Sequence, residues 1–165
     1  MINVAQFLQY TFIAFNLLLA AIFILIDEPM HIKRGLGHWE KISHLTDGLF
    51  SASTFCIGYL ALVNKSNFLF FLYCAFSVLT QVLTYKDEFI HKAESLPKEH
   101  IIHACMFSLN AAIFTLGAVM ILLQVSPQIF LFSLALVGLS IIWQISYWWV
   151  IKKDESAISK RYISK

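Results

Sequence analysis

The stretch VAQFLQYTFIAFNLLLAAIFILI, residues 4–26, decides the fold. Its 23 residues include no Asp, Glu, Lys, Arg or His, and its only amide side chains are Gln6, Gln9 and Asn16. At about 1.5 Å rise per residue, a helix of this length crosses a hydrocarbon core about 30 Å thick. A helix also satisfies its own backbone N–H and C=O groups, as hydrocarbon demands. The run is too long for an ordinary secretory core. It ends in Asp27-Glu28-Pro29 with no small-residue cleavage pattern, so it is expected to stay in the protein.

Working outward, four more apolar runs follow at 44–63, 68–85, 101–123 and 129–151. The second opens with the polar His38-Trp39-Glu40-Lys41. Composition agrees: of 165 residues 59% are hydrophobic and 13% charged, and the mean hydropathy is +0.72, where a soluble domain is nearer a quarter charged. The expected fold is an all-α integral membrane bundle of five transmembrane helices, one domain over 1–151 with a polar tail at 152–165. Pro29, Gly35 and Gly37 read as a loop after the first span. Asn64-Lys65-Ser66-Asn67 and Ser126-Pro127 read as tight turns. Helices two and three, and likewise four and five, are expected to pair as hairpins. Ser95 or its successor can cap the fourth helix, with Pro97 in its first turn and Glu99 set well against its dipole. No G-x-x-x-G pair falls within a span, and no internal repeat is visible.

Charge fixes an expected orientation. All ten carboxylates, all six histidines and eleven of the twelve Lys/Arg residues fall at one face, and Lys65 alone at the other. The positive-inside rule then puts the N-terminus outside and the C-terminus in the cytoplasm, with a bacterial inner membrane as the expected location. Tyr147, Trp148, Trp149 and Trp39 read as interfacial anchors. A net charge of +2 gives no nucleic-acid footprint. Cys56, Cys74 and Cys105 lie in apolar segments without a C-x-x-C pair and read as free buried thiols.

The charged face gathers ligand-type residues at helical spacing. Glu40, His44, Asp47 and Ser51 share a stripe on the second helix. Gln81, Thr84, Glu88 and His91 do so on the third, with Asp87 beside them. His100, His103, Phe107 and Asn110 do so on the fourth, preceded by Glu99. Ionisable groups at membrane depth are costly and face a bundle interior or a wet cavity. A pocket between helices two, three and four is therefore expected, closed by helices one and five, with Asn16 and Gln144 as lining. His31 and His38 read as solvated interfacial groups.

Imidazole and carboxylate together suit Zn, Fe, Mn or Cu. The expected metal ligands are His44, Asp47, Glu88, His91, His100 and His103. Glu88 or Asp47 would be the general base, and Glu40, Asp87, Glu99, Asn110, Gln81 and Gln144 would support them. Glu88-x-x-His91 is similar to the Glu-x-x-His ligand element of ferritin-like di-iron bundles. That scheme needs two such pairs and this chain has one. The His-Glu-x-x-His zinc signature is absent. The leading expectation is a membrane metalloenzyme, a hydrolase or oxidoreductase, acting on a lipid or other apolar substrate. The rivals are a metal or proton carrier, a haem protein clamped by His44 and His103, and a non-catalytic subunit of a membrane complex. The expected partners are the bilayer, an apolar small molecule, and another membrane protein or a second copy.

Overall fold

A computed structural model describes the backbone of residues 3–91 and 97–152, and the side chains of 3–86 and 97–152. The described residues are all helical or in short connections, with no strand. They form α1 (Val4–Arg34), α2 (His38–Asn64), α3 (Asn67–His91), α4 (Pro97–Leu122) and α5 (Gln128–Ile151). All five helices are long and apolar enough to cross a membrane.

Local chemistry sets the helix ends. Asn3 caps α1 by accepting the Gln6 N–H at 2.8 Å, while the Gln6 side chain accepts the Asn3 N–H at 3.1 Å. Glu40 does the same for α2, taking the Gly37 N–H at 2.7 Å. Gly35 ends α1 at φ +81°, a conformation that favours glycine, and its N–H closes on His31 O at 2.8 Å. Lys65 and Gln124, both left-handed, end α2 and α4.

The first helix does not stop at residue 26. It runs eight residues further, through Pro29, because residues Phe23–Asp27 form a π-type turn in which the Glu28 N–H reaches back to Phe23 O. Such a turn shifts the hydrogen-bond register just where the proline ring would break a regular ladder. Residues 27–34, expected as a loop, are therefore a rigid helical extension. A second π-type segment, Ile145–Ile151, ends α5.

The helices pack as a closed ring in the order α1, α4, α3, α2, α5 and back to α1. Helices α2 and α3 pair as the short turn between them implies. Helices α4 and α5 do not: α5 leaves its turn to pack on α2, and on α1 along the sparsest seam of the ring. The reason lies in the core, which takes one aromatic side chain from each helix: Phe12, Phe55, Tyr73, Phe114 and Phe130. Phe130 touches Phe12, Phe55 and Tyr73, with ring centroids 5.6, 6.5 and 5.8 Å away. Gly58 and Gly117 make room, since a Cβ at either would collide with Phe130 or Tyr73. The Tyr73 hydroxyl donates to Phe114 O at 2.9 Å, and Thr54 bonds Thr80 at 3.1 Å between α2 and α3. These aromatics plug one half of the bundle. The polar helix ends gather at the other.

Gly117→Ala should destabilise the protein by about 1–3 kcal/mol through overpacking against the Tyr73 hydroxyl. Thermal unfolding in detergent should show a smaller loss when Gly117→Ala is made on a Tyr73→Phe background. Equal losses on both backgrounds would contradict this packing.

Candidate metal centre

At the polar end, α1 provides the middle of the site. Asp27 closes the π-type turn and His31 stands one turn further on, with 1% and 0% exposure. The Asp27 carboxylate lies between two imidazoles: His103 Nε2 of α4 is 3.0 Å from Oδ1, and His31 Nε2 is 3.3 Å from Oδ2. One ligand atom from each of these three residues falls within 4.8 Å of the others. Two ligands bound at about 2.0–2.1 Å on a tetrahedral zinc ion are separated by about 3.4 Å, close to the two carboxylate–imidazole distances, which are equally those of charge-assisted hydrogen bonds. The His44 ring of α2 packs edge-on to His31 with centroids 4.9 Å apart, and the His103 ring lies 5.8 Å from His31.

A second layer holds this group. Arg34 Nη2 donates to Glu40 at 2.8 Å and Glu99 at 2.9 Å, and lies 3.3 Å from His31 Nδ1. Glu99 Oε1 is itself 3.4 Å from that nitrogen. One guanidinium nitrogen thus ties the starts of α2 and α4 to the end of α1. Glu28, buried one residue beyond Asp27, accepts from Trp143 Nε1 at 3.1 Å and Trp148 Nε1 at 2.9 Å. Residues five apart diverge on a regular α-helix. The π-type winding of Ile145–Ile151, with its i to i+5 repeat, brings both indoles onto one carboxylate.

Beneath the cluster lies a cavity of about 1110 Å³ between the cluster and the aromatic plug. All five helices line it. Its walls are largely carbon, with polar groups at intervals, among them Asn16, Asp47, His100, Asn110 and Gln144.

The structure sorts the expected site residues. His103 enters the cluster directly, and His44 abuts it. Asp47, His100, Asn110 and Gln144 line the cavity, as does Asn16. Glu40 and Glu99 are the carboxylates bound by Arg34. Gln81 does not line the cavity: it lines a separate groove between α3 and α4, nearly a turn further from the polar end than Thr84, which does reach the cavity. The side chains of Asp87, Glu88 and His91 lie outside the described residues. His31, expected to be solvated, is instead fully buried at the centre, and Trp148, expected as an interfacial anchor, is 3% exposed and bonded to Glu28. His38 is exposed, beside Trp39 and Trp149. Asp27, Glu28 and His31 went unrecognised in sequence because Pro29 read as a break. The spacing Asp27-x-x-x-His31 was the signal available.

No family model matches this chain, and neither a curated protein nor a solved structure matches it.

Removing one partner of a buried ion pair strands the other, at about 3–5 kcal/mol. Arg34→Leu should therefore lower stability in detergent sharply, and adding Glu99→Gln should recover part of it. No recovery would show that Glu99 does not depend on the guanidinium.

Proposed function

We propose that this chain is a small membrane-embedded metalloenzyme whose ion is held by Asp27, His31 and His103, with His44 as a further donor. The observation that carries the reading is the convergence of these buried and half-buried donors at the head of a large, mostly carbon-walled cavity. Two imidazoles and one carboxylate form a donor set suited to Zn²⁺ or Fe²⁺ with positions left open for reactants. A bound divalent ion would polarise an ester or amide carbonyl and activate water. Among the described residues Asp47, on the cavity wall, would take the proton from that water. The substrate class is apolar, because the walls offer little else. The charge asymmetry of the sequence supports a cytoplasm-facing site, with the N-terminus outside.

A carrier needs a path through the bundle. Five packed aromatic residues below the cavity, one from each helix, disfavour one. A haem clamped between His44 and His103 is disfavoured by the His31 ring, which packs against both, with centroids 4.9 and 5.8 Å away.

Elemental analysis of detergent-purified protein should find about one Zn or Fe per chain. Asp27→Asn and His103→Gln should lose the ion, while Asp47→Asn should keep it and lose hydrolysis of a lipid-soluble ester probe. Wild-type protein that holds no metal, and that Zn²⁺ or Fe²⁺ does not stabilise against heat, would overturn the reading.

A further inference from the structure

We infer that the cavity takes one long acyl chain, which slides in sideways from the bilayer between α1 and α5 and places its polar end at the Asp27 cluster. The chemistry at that polar end rests on the metalloenzyme reading above; the binding of the chain does not.

The cavity has the shape for such an occupant. From Asp27 down to Asn16 is eleven residues of α1, a depth of about 16 Å at 1.5 Å per residue. The base is shut. Asn16 turns its amide onto Phe12 O at 2.8 Å, and Phe55 reaches the cavity from the aromatic plug. Leu19, Phe23, Leu136 and Val137 supply carbon walls between base and head. The ionisable groups, Asp27, Glu28, His44, Asp47, His100 and His103, stand toward the helix ends. An occupant with a long apolar tail and one polar end meets each wall with matching chemistry.

The side opening follows from the packing. The α1–α5 seam is the sparsest in the ring. Ile24 on α1, and Leu139 and Trp143 one turn apart on α5, line the cavity and are 61%, 65% and 44% exposed. On α5, a Cβ added to Gly138 would meet nothing within 4 Å. Above the seam, the Trp143 and Trp148 hydrogen bonds to Glu28 hold the two helices together. The gap therefore sits below a polar crossbar, at the level of Ile24, about one turn deeper than Asp27. In a spanning bundle that level faces hydrocarbon, and what meets the opening there is the chain of a neighbouring lipid.

The test uses full-length protein in vesicles of phosphatidylethanolamine and phosphatidylglycerol. Two probes carry a diazirine near the chain end: free palmitate, and phosphatidylglycerol with the same acyl chain. Peptide mapping after irradiation should find label on cavity residues such as Leu19, Phe23 or Leu136 with at least one probe, and the pair distinguishes a free fatty acid from a membrane phospholipid as the source. Ala20→Trp and Leu136→Trp each fill the cavity and should lose that label while remaining monodisperse with a cooperative melt. Chelator-treated protein and Asp27→Asn should still be labelled, so failure of the metal reading would not be mistaken for failure of this one. Label confined to outward residues such as Leu25 and Val150, unchanged by folded cavity-filling variants, would overturn the inference.

Discussion

A carboxylate withdrawn from water must be met by donors, and this constraint organises the polar end of the bundle. Among the described residues four carboxylates are buried there: Asp27, Glu28, Glu40 and Glu99. Each is answered from another part of the ring. Asp27 of α1 meets His103 of α4, Glu28 of α1 meets two indoles of α5, and Glu40 of α2 and Glu99 of α4 meet Arg34 of α1. The first helix is thereby bonded to three of the other four. Hydrogen bonds to a charged group are directional, so they select those partners more narrowly than contact between carbon surfaces does.

The opposite half is held by shape. Phe12, Phe55, Tyr73, Phe114 and Phe130 interlock at ring separations of 5.5–6.5 Å, and two glycines give the closest approaches. Between a polar end fixed by direction and an aromatic end fixed by volume, the middle of the bundle is free of both demands. That is where the cavity lies. Its position follows from how the two ends are stabilised and does not weaken either.

Hydropathy alone located the five helices, since runs such as 4–26 and 129–151 are long and apolar enough to cross a membrane as helices. It also located the end at which polar groups collect. Helical spacing placed His44, Asp47, His100, His103 and Asn110 on the inner faces where the structure has them. It failed where winding departs from 3.6 residues per turn or where a rule of thumb overrode it. Pro29 stood in for a helix stop, so the extension carrying Asp27 and His31 was lost, and with it the centre of the site. Trp148 read as an anchor because its neighbours Tyr147 and Trp149 and the nearby Lys152 fit an interfacial belt. Gln81 fitted the stripe by count, but points along a different groove. The departure of α5 from α4 was invisible, because loop length says how far two helix ends are separated and nothing about which face Phe130 prefers.

The π-type segments at Phe23–Asp27 and Ile145–Ile151 act as phase shifts. Each holds more residues in a turn than the ladder before it, so every side chain beyond it is rotated with respect to a simple helical wheel. At the present length, ordinary winding would put Trp148 about 140° around the axis from Trp143 and away from Glu28, whereas deleting one residue from 145–147 would leave the two indoles four apart, on one side of a regular helix. Sequence length within those few turns is thus a structural variable in its own right, one that sets which side chains face inward without any change in composition.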